Sequence, residues 1–210
     1  MPIIFDRVTK VIGKNKVLDQ VSCTMQTGII TGLKGINGSG KTMMMRLIAG
    51  LIYPTEGQVI VDGKIVGKEI SFPPSVGVML EAPSFLNPYS GYINLKLLAE
   101  INRRISADEI EVALSRVGLL ENKDKAYQKY SLGMKQRLGI AAAIMEYPDI
   151  LLLDEPTNSL DESGVELVKQ IVREEKARGA TVVLSCHDAS VLEDLADEII
   201  SIRGGKIVEA

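Results

Sequence analysis

The stretch GLKGINGSGKTMMMRL, Gly32 to Leu47, constrains the fold of this chain more than any other feature. It follows a short β-branched apolar run, Gly28 to Thr31, and leads into an amphipathic pattern without proline, Met43 to Leu51. These textures predict a buried strand, a glycine-rich turn and a helix that begins at Lys41. A strand that feeds a helix through a short turn is the repeating unit of parallel α/β sheets.

The turn carries the spacing G-x-x-x-x-G-K-[ST]. Glycines allow backbone N–H groups to turn inward, and a helix N-terminus adds partial positive charge, so such a loop can bind phosphate. The lysine can reach the β- and γ-phosphates, and the threonine hydroxyl can bind Mg²⁺. A plain glycine turn would explain the glycines but not the adjoining Lys-Thr pair. We therefore predict a nucleotide-binding loop formed by Gly35, Asn37, Gly38, Ser39, Gly40, Lys41 and Thr42.

A second chemical feature is ILLLDEP, Ile150 to Pro156, in which an apolar run ends in two acids. A buried strand would place Asp154 at its carboxyl end, where a carboxylate can hold Mg²⁺ through water. Glu155 could then polarise a water molecule for attack on the γ-phosphate. A strand that ends in solvated acids is common. This motif therefore indicates a nucleotide site only in combination with the phosphate loop.

Two further residues lie at predicted element ends. His187 is the single histidine of the chain and follows the strand-like run TVVLSC. At the tip of a parallel strand it could donate a hydrogen bond to the γ-phosphate or to the water. Metal binding is not expected, because no second histidine or cysteine pair accompanies it. Ser131, in YSLGMKQRLGIAAAIM, is an N-cap candidate for a helix.

The pattern along the chain predicts an α/β fold in one domain, residues 1–210. Residues 1–27 alternate as antiparallel strands do, and Asp62-Gly63 separates two short alternating runs as a hairpin turn. Residues 84–146 have helical spacing, whereas strands and helices alternate again after Pro148. We predict a core of residues 1–83 and 147–210 with a mostly parallel sheet, and a helical insertion at 84–146.

Composition excludes several classes of protein. A net charge of -3 argues against a broad basic surface for nucleic acid, so we expect no nucleic-acid partner. The two cysteines, Cys23 and Cys186, have no CxxC spacing and predict reduced thiols. The N-terminus meets Asp6 and Arg7 too early for a signal peptide. We expect no membrane-spanning segment, since no apolar run approaches about eighteen residues.

Together and in this order, the motifs resemble the nucleotide-binding subunit of ATP-binding cassette (ABC) transporters. GINGSGKT resembles Walker A, ILLLDE resembles Walker B, NSLD (Asn158–Asp161) resembles the D-loop, and His187 resembles the switch histidine. YSLGMKQ resembles the signature sequence, with Ser131, Gly133 and Met134 at its serine, second glycine and last position. The resemblance implies a P-loop NTPase core with an antiparallel β subdomain and a helical subdomain. It also implies ATP and Mg²⁺ as cofactors, and a head-to-tail dimer in which the signature contacts the partner's nucleotide.

By the same resemblance, roles fall on further residues. The catalytic residues would be Glu155, His187 and Lys41, and Thr157 would contact the nucleotide. Thr42, Asp154 and Glu81 would bind the metal. Three positions depart from the common pattern: Ile12 stands where an aromatic residue usually stacks on adenine, Glu81 replaces the Q-loop glutamine, and Met134 ends the signature. Glutamate at the Q-loop with an SLGMKQRL signature resembles the branch of bacitracin- and lantibiotic-resistance exporters.

The resemblance implies the ATPase subunit of a membrane exporter, whose cargo would be a peptide antibiotic or another small amphipathic compound. The partners would be an integral membrane permease and a second ABC subunit, identical or related. The location would be cytoplasmic, at the inner face of the cell membrane. We expect the segment Ser84 to Tyr92 to contact the permease.

Three other classes share some of these motifs. An ATPase of chromosome maintenance would have long heptad arms, which are not seen between Thr42 and Ser131. A translation-factor ATPase would carry two sets of motifs. A binding module without hydrolysis would not need both Glu155 and His187.

Overall fold

The computed structural model describes residues 1–208 and begins with an antiparallel sheet. Its strands are β1 (Ile3–Ile12), β2 (Asn15–Met25), β4 (Glu56–Val61) and β5 (Lys64–Ile65), in the order β2-β1-β4-β5. Asp62 and Gly63 join β4 to β5 with φ values of 51° and 77°. Two successive positive φ angles are what a tight hairpin turn of the primed type requires, so the predicted hairpin is confirmed.

In the described part of the chain the second sheet has six strands, and all neighbours are parallel except the pair β9 and β10. The strands run in the order β10-β9-β3-β8-β7-β6. Their bounds are β3 Ile30–Lys34, β6 Val76–Met79, β7 Ile150–Asp154, β8 Thr181–Ser185, β9 Glu198–Arg203 and β10 Lys206–Val208. The predicted mostly parallel sheet is therefore confirmed.

Within residues 1–208, six α-helices connect the strands: α1 Lys41–Ile48, α2 Gly91–Asn102, α3 Ala107–Arg116, α4 Leu132–Ile144, α5 Glu162–Ala177 and α6 Ala189–Leu195. Helix α1 begins at the predicted residue but ends before Leu51. Gly50 has φ 73°, and a Cβ there would lie 2.3 Å from the Ser71 carbonyl oxygen, so glycine alone fits this turn. Within residues 1–208, no helix has both the length and the apolar character needed to cross a membrane.

Side chains of the parallel sheet alternate between two cores. Leu151 and Leu153 of β7 pack with α2 to α6, whereas Ile150 and Leu152 pack with α1 and the antiparallel sheet. This alternation follows from the two-residue period of a strand, and it explains why β7 is apolar at every position before its final acid. The sheet is thus covered on both faces, and its carboxyl edge remains for the site.

Helices α2, α3 and α4 lie between β6 and β7 in the chain, in the part predicted as a helical insertion. Helix α4 packs closely on β6 at Gly77, where a Cβ would lie 1.9 Å from the Ala143 carbonyl oxygen. Glycine at this position lets the helix approach the sheet. The subdomain boundaries at residues 83/84 and 146/147 stay predictions.

Candidate functional site

The loop between β3 and α1 needs glycine at several positions. Gly38 and Gly40 have φ values of 78° and 119°, which side chains of L-residues rarely adopt. A Cβ on Gly35 would lie 2.4 Å from the Ile202 carbonyl oxygen and 2.5 Å from Ser39 Oγ. The glycine spacing therefore serves a tight, inward-turning loop against β9.

Lys41 extends across the mouth of this loop. Its ammonium group donates to the carbonyl oxygens of Gly35 (2.7 Å) and Ile36 (3.3 Å), and the residue is buried. Among the residues that the structure describes, no side chain caps the N-terminus of α1, so the N–H groups of its first turn are available to an anion. A cavity of about 410 Å³ lies here, lined in part by Asn37, Gly38, Gly40, Lys41 and Thr42.

Asp154 lies buried at the carboxyl end of β7 and faces the same cavity. Its Oδ2 accepts a hydrogen bond of 2.5 Å from the Thr42 hydroxyl, and its Oδ1 accepts one of 2.5 Å from the Ser185 hydroxyl. A carboxylate and a threonine hydroxyl are oxygen donors that Mg²⁺ accepts, and Mg²⁺ commonly takes only one or two protein carboxylates beside phosphate. The residues present therefore fit this metal.

Glu155 follows directly and has a left-handed backbone, φ 52°. Its carbonyl oxygen accepts a hydrogen bond of 2.9 Å from Gln136 Nε2 on α4. Its buried Oε2 has no hydrogen-bond partner within residues 1–208. Burial raises the pKa of the Glu155 carboxyl; the nearby Lys41 ammonium opposes that rise and the Asp154 carboxylate adds to it. A carboxylate with a free oxygen and a raised pKa beside the cavity suits a general base.

His187 lies in the loop after β8, exposed, and lines a second cavity of about 740 Å³ together with Asn37 and Glu155. The preceding Cys186 is buried, which raises the pKa of its thiol to about 12. Thr157 lines neither of the two cavities described, so its contact with a nucleotide stays a prediction.

The roles predicted for Ile12 and Glu81 stay predictions, and the structure shows the surroundings of each residue. Ile12 ends β1 and is 48% exposed, and the 410 Å³ cavity is lined instead by Val17 of β2. Glu81 lines that cavity, but its carboxylate is paired with Arg46 of α1. In the described part of the chain, the pairing with Arg46 is the side-chain hydrogen bond that the Glu81 carboxylate makes.

The three signature residues lie at the start of α4. Ser131 is exposed and caps the helix, since its hydroxyl accepts the N–H of Met134 at 3.2 Å, as the sequence predicts. A Cβ on Gly133 would lie 3.1 Å from the Ser159 carbonyl oxygen in NSLD. Among the described residues that line the 410 Å³ cavity, none belongs to the signature.

Three residues of the site are absent from the sequence predictions. Ser185 bonds Asp154, Gln136 bonds Glu155, and Arg46 bonds Glu81. Ser185 has a local signal, because it lies two residues before His187 at a strand end. Gln136 and Arg46 lie inside helices; Gln136 ends the stretch YSLGMKQ that resembles the signature, and nothing in the local sequence indicates a contact with Glu155 or Glu81.

The segment Ser84 to Tyr92 divides into two parts. The Phe85 ring packs edge-on against Tyr127 of the helical insertion, with centroids 5.4 Å apart, so it belongs to that core. Leu86 and Tyr89 are 53% and 48% exposed. An exposed apolar surface is therefore present, but Phe85 is not part of it.

The sequence of this chain is similar to a known protein family and to several of its members. The family model described as ABC transporter matches residues 18–158. An uncharacterized ABC transporter ATP-binding protein of Bacillus subtilis, YybJ, is 47% identical over 95% of this chain and 92% of its own length. The bacitracin transport ATP-binding protein BcrA of Enterococcus faecalis is 39% identical over 97% of this chain and 67% of its own length. The lantibiotic transport ATP-binding protein SrtF of Streptococcus pyogenes is 35% identical over 95% of this chain and 86% of its own length.

Solved structures show the same fold at lower identity. A dimeric ATP-binding cassette in a post-hydrolysis state, bound to ADP and Pi, has a TM-score of 0.89 at 24% identity. The match covers 99% of this chain and 97% of that chain. An ATP-binding subunit of an ABC transporter has a TM-score of 0.87 at 24% identity, covering 99% and 88%. The predicted fold class is thereby confirmed.

Proposed function

The chain belongs to the ABC transporter family as an ATP-binding subunit with ATPase activity, and from this premise we propose that it powers an exporter of a peptide antibiotic or a similar amphipathic compound. The names of BcrA and SrtF, at 39% and 35% identity over nearly all of this chain, support that cargo class. The single observation that carries the ATPase part is the adjacency of Lys41 and Thr42 to Asp154 and Glu155 around one cavity.

In the proposed mechanism the loop N–H groups and Lys41 bind the β- and γ-phosphates of ATP. Lys41 must first leave the carbonyl oxygens of Gly35 and Ile36, which it contacts here. Thr42 and Asp154 would hold Mg²⁺, with Glu81 available as a further oxygen ligand only after it leaves Arg46. When bound, Mg²⁺ supplies positive charge that offsets the charge of the phosphate oxygens.

Glu155 removes a proton from the attacking water, for which its free Oε2 is suited. His187, which lines the 740 Å³ cavity together with Asn37 and Glu155, donates a hydrogen bond to the γ-phosphate or the water. Ile12 contacts the base, and Thr157 lies in the turn that follows Glu155. Ser39 shapes the loop from within, since it is buried beside Gly35.

A second ABC subunit completes the proposed site. The N-terminus of α4 carries Ser131, Gly133 and Met134 on a surface apart from the cavity of its own chain, which supports a role at the nucleotide of a partner. A head-to-tail pair would place this helix N-terminus against the partner's γ-phosphate, where its partial charge is favourable. The partner is a second copy or a related chain.

The proposed membrane partner is a permease subunit, which holds the protein at the cytoplasmic face of the cell membrane. Leu86 and Tyr89 support a contact there, and so do Phe72 and Ile101, which are exposed at a groove of about 290 Å³ between β6 and the ends of α2 and α4. Exposed apolar surface of this kind marks interaction sites more often than single apolar residues do.

Cross-linking tests the permease contact. Cysteine replaces Leu86 or Tyr89 and, as a control, Arg173 on α5, in membranes that also contain the permease. Burial raises the pKa of both native thiols to about 12, so these should react slowly with maleimide cross-linkers at pH 7. We expect adducts with the permease from the first two positions alone. Equal adducts from all three positions, or none, would contradict the contact.

Hydrolysis is tested with Glu155→Gln. A carboxamide cannot accept the proton, so we expect ATP binding to persist while the hydrolysis rate falls by about 10²–10⁴. Phosphate release and equilibrium ATP binding are measured in parallel, with the exposed Glu162→Gln as the matched control. Turnover of Glu155→Gln at the rate of the control would show that Glu155 is not the base.

Export is tested in a bacitracin-sensitive host that expresses the chain together with a permease encoded next to its gene. Protection that requires Glu155 would support the cargo class. If protection is equal with Glu155→Gln, or absent for bacitracin and lantibiotics alike, the export proposal is wrong while the ATPase assignment stands.

A further inference from the structure

Ser185 contacts both acids of the site with one side chain. It lies at the carboxyl end of β8, opposite Asp154 in the parallel register of β7 and β8, and it is fully buried. Its hydroxyl donates to Asp154 Oδ1 at 2.5 Å, and the same oxygen accepts the N–H of Glu155 at 3.1 Å. A serine hydroxyl has one donor and two acceptor positions, so both contacts are possible at once.

The first contact determines which oxygen of Asp154 faces the phosphate loop. Ser185 takes Oδ1, and Thr42 donates to Oδ2. With Oδ1 held from the sheet side, the carboxylate cannot rotate without losing a short hydrogen bond in a buried place, where such a loss is costly. Oδ2 is therefore kept toward Thr42 and the cavity.

The second contact supports the backbone of Glu155. A positive φ in a residue other than glycine costs energy and persists when surrounding bonds fix it. The Glu155 N–H is bonded to Ser185 Oγ and also, at 3.2 Å, to the Ser185 carbonyl oxygen. Gln136 holds the carbonyl on the other side of the same residue.

We propose that Ser185 is a positioning residue for the Mg²⁺–nucleotide site, which orients the carboxylate of Asp154 and the backbone of Glu155. This inference rests on the proposed function, in which Asp154 holds Mg²⁺. Partners that orient metal ligands in this way affect metal affinity or activity by about 10–100-fold when removed.

The test measures equilibrium binding of a fluorescent ATP analogue to the full chain, first without Mg²⁺ and then during a Mg²⁺ titration. We expect Ser185→Ala to raise the Mg²⁺ concentration for half-maximal enhancement by about 10-fold or more, with metal-free affinity unchanged. Ser185→Thr keeps the hydroxyl and should behave nearly as the unmodified chain. The matched control is Thr181→Val, which removes a buried hydroxyl from the other end of the same strand.

The variant Asp154→Asn distinguishes a failure of the positioning role of Ser185 from a failure of the proposed function, in which Asp154 binds Mg²⁺. If Asp154→Asn leaves the Mg²⁺ dependence unchanged, the metal assignment itself is wrong. If Asp154→Asn raises the Mg²⁺ concentration for half-maximal enhancement but Ser185→Ala does not, the role of Ser185 is wrong. The role is also overturned if Thr181→Val has the effect of Ser185→Ala, if Ser185→Thr loses as much as Ser185→Ala, or if Ser185→Ala lowers binding equally with and without the metal.

Discussion

Glu81 places a negative charge at the wall of a cavity that already contains Asp154 and Glu155. A third carboxylate should repel the phosphates of ATP when no metal is present. Arg46 on α1 pairs with Glu81 and offsets that charge. The effect of the glutamate on nucleotide binding should therefore depend on the arginine.

The dependence can be measured with the pair of substitutions Glu81→Gln and Arg46→Gln. We expect Arg46→Gln to weaken metal-free ATP binding, and Glu81→Gln to recover that loss in the double variant. The pair is partly exposed, so the coupling should be about 0.5–1 kcal/mol. Equilibrium binding with and without Mg²⁺ is measured for all four proteins, with Arg173→Gln as a control for charge alone. Additive effects of the two substitutions would mean that the pair does not act on the nucleotide.

Ile12 should give the site poor discrimination between bases. An aliphatic side chain offers apolar contact but no face for stacking, which is worth about 1–3 kcal/mol per base. We expect GTP to support turnover nearly as well as ATP, and Ile12→Tyr to tighten ATP binding by about tenfold. The check is the kcat/KM ratio for the two nucleotides, with Ile12→Leu as the aliphatic control. A strong ATP preference in the unmodified chain would mean that Ile12 is not the residue that contacts the base; Phe5 of the same strand is 2% exposed and offers no face for stacking.

At the scale of elements, Glu175 links α5 to α3. Its buried carboxylate, 1% exposed, accepts from Arg116 of α3 at 2.8 Å and from Arg178 at 2.6 Å. Glu174 also contacts Arg116, at 3.0 Å, but lies at the surface. The two neighbouring acids make similar contacts in different dielectric surroundings, so they form a natural comparison.

We expect Glu175→Gln to lower the free energy of unfolding by about 3 kcal/mol, the low end for breaking a buried pair, because Arg116 keeps some contact with water. Glu174→Gln should cost less than about 1 kcal/mol. Urea unfolding at pH 7, followed by circular dichroism, measures both. Equal losses for the two variants would contradict the importance of burial here.

At the scale of the whole molecule, the proposed head-to-tail dimer makes each nucleotide site from two chains. Lys41 would come from one chain and Ser131 from the other. A Lys41→Ala chain mixed with a Ser131→Arg chain should form a dimer with one intact site and one site that carries both defects.

We therefore expect the mixture to bind ATP at about half the stoichiometry of the unmodified dimer, whereas either variant alone should not form the ATP-bound dimer. Light scattering and ATP stoichiometry, both in a Glu155→Gln background that blocks turnover, report the result. The Glu155→Gln chain with Lys41 and Ser131 unchanged is the reference. If this chain forms no dimer with ATP, the partner is a related chain and not a second copy.

The sequence by itself determined where the chemistry lies along the chain. The phosphate loop Gly35–Thr42, the acids Asp154 and Glu155, and His187 all stand at element ends, and element ends carry local signals. Glycine spacing, a switch from apolar to acidic residues and an N-cap such as Ser131 are each fixed by the geometry of a few adjacent residues. The α/β class and the hairpin at Asp62-Gly63 follow for the same reason.

Only the tertiary structure decided which side chains meet at the site. Ser185 reaches Asp154 because β8 lies beside β7 in the sheet, and Arg46 of α1 pairs with Glu81, which lies 35 residues away in the chain. The departure of Phe85 into the helical core has the same origin, since Tyr127 approaches from a distant part of the chain. Strand order and helix packing depend on the burial of apolar faces against elements that are distant in sequence. A periodic pattern predicts that a face is buried, but it does not identify the element against which that face packs.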